Sequence, residues 1–161
     1  MKGPGTRAGW IANIGIDWIG LANHHGRIEG TGTIALTPSG VVLSDAVTRL
    51  PFTSTTVGNT VPVTVNMGQL NPAGNTWVQS QQLRGGLTLN VTVGTGNAGI
   101  ATVDSPVTLT GGADPASVTT VVHGIGKGTT PVSVTQPPGY VAATNTVFQF
   151  NPMPSINVTV N

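Results

Sequence analysis

Between Gly85 and Val134 the chain reads GGLTLNVTVGTGNAGIATVDSPVTLTGGADPASVTTVVHGIGKGTTPVSV, a succession of short alternating segments cut off every few residues by Gly, Pro or Asn. Alternation with period two puts the apolar residues of an extended segment on one face, and the β-branched Val and Thr that dominate here suit a pleated, half-buried surface. Turn signals recur at about the 8–12 residue spacing of a sandwich, and nothing in the chain reads as a long helix. Such strands bury their apolar face only against a second sheet, so the pattern predicts an all-β sandwich.

The same period extends outward. Val61, Val63 and Val65 alternate in TVPVTVNM, and Leu87, Leu89, Val91 and Val93 alternate in GGLTLNVTV; these are the expected central core strands. ALTPSGVVLS reads as an opening strand kinked at Pro38, a residue suited to an edge or a bulge. NPAGNTWVQSQQLR, Asn71 to Arg84, is expected to stand off the sandwich as a hairpin extension. At the N-terminal end Trp10, Ala12, Ile14, Ile16 and Trp18 share one parity, with Asn13, Gly15 and Asp17 between them, which predicts a strand with one apolar face. At the other end SINVTV, Ser155 to Val160, follows the Pro-rich NPMP and is expected to lack a partner in its own domain. The organisation expected is an arm over residues 1–26, a sandwich over 27–154 and a terminal strand over 155–161.

Composition narrows the function classes. Charged residues make up 7% of the 161 residues and the formal charge is +1, which provides no electrostatic footprint for nucleic acid or an anionic membrane. With no cysteine, disulfides, thiolate catalysis and sulfur-ligated metals are removed together. No apolar run approaches the roughly 20 residues of a membrane-spanning helix, and Asn13 and Asp17 interrupt what would be the apolar core of a signal peptide.

Chemical motifs are few. Gly124, Gly126 and Gly128 in HGIGKGTT lack the GK[ST] step and following helix of a phosphate loop, and read as a hairpin turn. His24, His25 and His123 with Glu29 or Asp17 are metal-ligand types, yet adjacent histidines on a strand face opposite ways. Asp104 and Asp114 precede Ser and Pro, as turn residues do. Pro137 to Tyr140 fits PPxY and reads as a turn, while Asn90 and Asn157 each begin an N-x-T sequence within a strand. No paired carboxylates or triad motif point to catalysis. The expectation is a non-enzyme with no catalytic, cofactor-binding or metal residues.

Taken in order, GGLTLNVTV, IATVDSPVTLTGGADPASV and GIGKGTTPVSVTQPPGY resemble the bacterial Ig-like (Big-type) repeats of large surface and secreted proteins, over about residues 28 to 161. The resemblance implies an Ig-like antiparallel Greek-key β-sandwich, here with N- and C-terminal extension strands, no catalytic site, and exposure at a cell or virion surface. The longer Asn71 to Arg84 region and the Trp-rich arm depart from the repeat. The function expected is structural: self-association, or union with neighbouring Ig-like repeats, by terminal strand exchange into a filament, pilus-like fibre or surface array. Its interface residues are Trp10, Ala12, Ile14, Ile16 and Trp18 in the arm and Ile156, Val158 and Val160 in the terminal strand. The alternative is an adhesin or virion decoration domain that binds a glycan or protein ligand through Asn75, Trp77, Gln79 and Gln81.

Overall fold

The computed structural model describes residues 37–112, 116–146 and 153–161. They form strands β1 (Ser39–Asp45), β2 (Phe52–Thr55), β3 (Thr60–Leu70), β4 (Thr76–Ser80), β5 (Thr88–Thr95), β6 (Ala101–Val103), β7 (Val107–Thr110), β8 (Ser117–Gly124), β9 (Gly128–Thr135), β10 (Asn145–Thr146) and β11 (Ser155–Val160), with no helix among the described residues. One sheet runs β10-β4-β3-β8-β6 with β1 on the other side of β3, and the second runs β2-β11-β9-β5-β7. The protein is thus an all-β sandwich. Most pairings are antiparallel, but β2 with β11 and β4 with β10 are parallel, so the sheets are mixed.

Alternation decides what meets between the sheets. Val63, Val65 and Met67 of β3, Val91 and Val93 of β5, Val122 of β8, Val132 of β9 and Ile156, Val158 and Val160 of β11 form one buried cluster, completed by Val41 and Leu43. Each fully buried side chain of this size is worth about 1.5–3 kcal/mol relative to exposure. Leu87 departs from the expected core series: it lies just before β5 in a turn closed by its own N–H to Arg84 O (3.1 Å) and is exposed. The GIGKG segment also differs from expectation. Because β8 and β9 belong to different sheets, it is a crossing between them rather than a hairpin. Its glycines are required: Gly128 has φ 144°, and a Cβ on Gly126 would lie 2.6 Å from Gly99 O. Tyr140 N–H bonds Pro137 O (3.0 Å), closing the PPGY turn, and its ring packs half-buried on the core.

The eleven-residue β3 is the hub. Along one side it pairs with all of β1; along the other it pairs first with β8 and then, at its C-terminal end, with β4. All seven β1 residues are buried, although no strand runs along its far side. Buried backbone groups need partners, and here four different ones supply them. Val141 N–H bonds Ser39 O (2.9 Å), Met153 exchanges two bonds with Leu43 (2.6 and 3.0 Å), and Asp45 N–H bonds Leu50 O (2.9 Å). Between these, the Gln136 side-chain amide takes the place of a peptide group, accepting from Val41 N–H at Oε1 (2.9 Å) and donating from Nε2 to Val41 O (2.6 Å).

Two expectations about the ends of the sandwich are corrected. Asn71 to Arg84 does not stand off: Asn71 Oδ1 accepts from Asn75 N–H (3.0 Å) and Thr76 N–H (3.1 Å), and this Asx-type turn with Gly74 at φ 75° folds β4 back onto β3. Ser155 to Val160 does not lack a partner: β11 pairs along one side with β9 and along the other with β2.

Candidate assembly surface

The arm residues Trp10, Ala12, Ile14, Ile16 and Trp18 lie outside the described residues. The other expected interface residues are in the core. Ile156, Val158 and Val160 expose 1%, 0% and 2% of their surface, because β11 sits inside its sheet with that parity turned toward the opposite sheet. They are therefore residues of the chain's own core and not of a surface.

The expected ligand loop separates into two faces. The register of β3 with β4 shifts between Gln69 and Leu70, opposite an extra residue at Val78. A bulge of this kind reverses the alternation of the strand that carries it. Trp77 consequently turns to the outer face, where it is buried with Val42, Leu70 and Ala143. Gly68 and Gly40 make that packing possible, since a Cβ on the first would run into the indole ring and on the second into the Val141 carbonyl. Gln79 keeps the other parity: its Nε2 donates to Gln69 Oε1 (2.8 Å), and Gln69 Nε2 donates to Thr37 Oγ1 (2.9 Å). Gln81 Oε1 accepts from Ser39 Oγ (2.9 Å), and the exposed Asn75 accepts Thr144 N–H at its carbonyl (2.9 Å). Asn75, Trp77, Gln79 and Gln81 thus do not converge on one surface, and the aromatic member is not available for stacking.

What the structure does expose is an edge that the sequence reading passed over. In the β2–β11 pair, Asn157 N–H bonds Pro51 O (3.1 Å), Asn161 N–H bonds Thr55 O (3.0 Å) and Val57 N–H bonds Asn161 O (3.3 Å). That parity turns the backbone groups of Phe52 and Ser54 the other way, where no strand among the described residues follows β2. Thr53 and Thr55 share the face of Val158 and Val160, while Phe52 lies on the outer face opposite Asn157. Phe52 exposes 57%, and Val47 and Val57, on either side of the strand in sequence, expose 82% and 46%. The only signal for this element is the brief alternation in PFTST, too short to stand out from a turn.

The approach to β2 is held by one carboxylate. Asp45 accepts from Thr53 Oγ1 (2.6 Å), Thr48 N–H (2.6 Å), Thr48 Oγ1 (2.8 Å) and Val47 N–H (3.0 Å), fixing the 46–51 connection against the strand. Burial raises the Asp45 pKa, but these hydrogen bonds favour the charged form more, so it lies below the ordinary carboxylate value. From 45 to 57 the chain carries two charges, this carboxylate and Arg49, which occupies the left-handed region at φ 65°.

The opposite edge of this sheet is β7. Gly111 N–H bonds Leu87 O (2.8 Å), which fixes a parity that leaves Thr108 and Thr110 outward; Thr108 Oγ1 donates to Asn90 Oδ1 (2.8 Å). No exposed large apolar side chain belongs to that strand. Elsewhere, His123 Nε2 and Asp104 Oδ1 lie 3.0 Å apart on an exposed surface, and among the described residues no three His, Cys, Asp or Glu are grouped to hold a metal.

No protein-family model matches the chain, and no curated protein matches it. Among solved structures it is similar to domains 4 and 5 of the S-layer protein SbsC, with TM-score 0.42 and 18% identity over 73% of this chain and 50% of that one. It is also similar to domains 1–6 of the surface layer protein SbsC, with TM-score 0.41 and 18% identity over 73% of this chain. A third similarity, to the S-layer protein rSbsC(31-844), has TM-score 0.41 and 19% identity over 69% of this chain. The match spans 12% of each of the two longer chains, so this chain corresponds to at most half of the solved chains it resembles.

Proposed function

We propose that this protein is a non-enzymatic structural module on the outside of a cell or particle, of the bacterial Ig-like repeat kind, which joins like subunits by strand addition. The observation that carries the reading is the contrast between two neighbouring strands. The C-terminal strand β11 is spent inside its own sandwich, whereas an edge strand, β2, has backbone groups with no strand partner among the described residues, beside an exposed Phe52. An open edge of this kind is a template for pairing with another chain. Of the two terminal segments with strand patterning, only Trp10 to Trp18 is left to act as donor. Strand addition supplies main-chain hydrogen bonds, with alternate side chains filling the adjoining surface. Five alternating apolar residues bury several hundred Å², on the order of 10 kcal/mol at ~25 cal/mol/Å² before ordering costs. Head-to-tail addition is heterologous and propagates an open array. The adhesin or virion-decoration reading draws less support, because its aromatic contact, Trp77, is buried.

The test is negative-stain electron microscopy with sedimentation of the full chain beside a variant lacking residues 1–26. Filaments or sheets from the full chain and folded monomers from the variant are expected. Monomers from both overturn the proposal.

A further inference from the structure

We propose that the outer edge of β2 is the acceptor, and that Trp10 to Trp18 of a second copy adds to it antiparallel, with its Asp17 toward Arg49. This rests on the assembly reading above and deepens it by naming the surface. Three other strand edges among the described residues are less suited. Along β1 the backbone is closed by Val141, Gln136, Met153 and Leu50. At β6, Ala101 N–H already bonds Asn97 O (3.1 Å). On its exposed face β7 offers an arriving strand only threonines, Thr108 and Thr110.

At β2 the requirements of an apolar donor are met together. Phe52 and Ser54 present outward N–H and C=O groups, Phe52 stays 57% exposed in the single chain, and no strand among the described residues lies along this edge. A strand added here places one parity of its side chains on the Phe52 face. The donor parity Trp10, Ala12, Ile14, Ile16 and Trp18 is the apolar one, so that face buries an aromatic ring against Phe52.

The proposed direction pairs Asp17 with Arg49. Asp17 is the one charge in Trp10 to Trp18, and Arg49 is the one charge from 45 to 57 besides Asp45, whose carboxylate already accepts four hydrogen bonds. Arg49 precedes the N-terminal end of β2 and Asp17 stands at the C-terminal end of the donor. Asp17 and Arg49 meet only if the two strands run antiparallel. Eighteen residues separate Trp18 from Thr37, a reach of up to about 60 Å when extended. That is ample to cross from one sandwich to the next.

The experiment replaces Phe52, in the full chain, with the photo-crosslinking residue benzoylphenylalanine and irradiates a mixture of nitrogen-15-labelled and unlabelled chains. Mass spectrometry then identifies the captured peptide and its isotopic origin; the same probe at Thr108 tests the β7 edge. Capture of residues 10–18 from the other isotopic chain at position 52, and not at 108, is expected. The paired charge test uses Asp17→Arg, expected to reduce assembly at least tenfold, and Asp17→Arg with Arg49→Asp, expected to restore it. Capture at 108 and not at 52, with assemblies present, overturns the acceptor assignment and leaves the assembly reading standing. Capture within one isotopic chain overturns the second copy as donor, and failure of the double variant to recover overturns the antiparallel direction. An absence of any assembly by microscopy removes the parent reading itself.

Discussion

Gln136 offers the sharpest test of how the buried edge of β1 is held. Among the described residues its amide is the one partner of the outward N–H and C=O of Val41, a residue with no exposed surface. Gln136→Ala leaves both groups without a partner, and an unsatisfied buried donor or acceptor costs about 1–3 kcal/mol. Gln136 itself is only half-buried, so water admitted to the vacated site recovers part of this. The expected loss is ~2–4 kcal/mol, or roughly 5–12 °C in Tm for a chain of this size. Gln136→Glu separates the two bonds. Its carboxylate still accepts from Val41 N–H but faces the Val41 carbonyl, which disfavours the charged form. The folded-state pKa of that glutamate is therefore raised above its unfolded value of about 4.3. Its stabilising contribution is present below the unfolded pKa, where the protonated carboxyl donates to Val41 O, and is lost as pH rises through the folded pKa. The assay is urea denaturation of both variants and the parent between pH 3 and 7, at matched protein concentration because self-association adds apparent stability. A Gln136→Ala loss below about 0.5 kcal/mol, or a Gln136→Glu difference from the parent that does not change with pH, refutes the argument.

Asp45→Asn removes the charge held by Thr53, Thr48 and Val47 and is expected to cost ~1–2 kcal/mol at pH 7 by urea denaturation. Because the Asp45 pKa is depressed on folding, its contribution is present above the unfolded value of about 3.9 and is lost as pH falls through the folded one; the variant's cost should therefore shrink below about pH 4. Val158→Ala opens a cavity in the core and should lower the chain's own stability by ~2 kcal/mol; loss of oligomers with unchanged Tm would show instead that β11 is an interface strand. Gly68→Ala pushes a methyl group into the Trp77 ring and should cost ~1–3 kcal/mol with altered tryptophan fluorescence; an unaffected melt would mean that the bulge relaxes at no cost.

Much of the sandwich is legible locally. Val63 and Val65, Val91 and Val93, and Ile156, Val158 and Val160 read as one-faced strands from their alternation, and each of these side chains is buried where that alternation places it. The surface was less legible. Trp77 reads as an exposed aromatic until the extra residue at Val78 reverses its face, and a bulge is defined by a partner strand rather than by its own sequence. Phe52 passes unnoticed because four residues between turns carry too little periodicity to declare a strand.

By itself, the sequence determined that this protein is built of β-strands, which residues share a face, and that its surface carries almost no charge. These are consequences of side-chain chemistry repeated with period two along a few neighbouring residues. Only the tertiary structure decided which strands pair. It closed β11 between β9 and β2, joined two pairs in parallel, carried the glycine-rich crossing from one sheet to the other, sealed β1 with a glutamine 95 residues away and left β2 uncovered. Strand pairing uses the same backbone groups in every residue, so the choice of partner is made by long-range packing and the satisfaction of buried hydrogen bonds, neither of which is encoded in any local stretch.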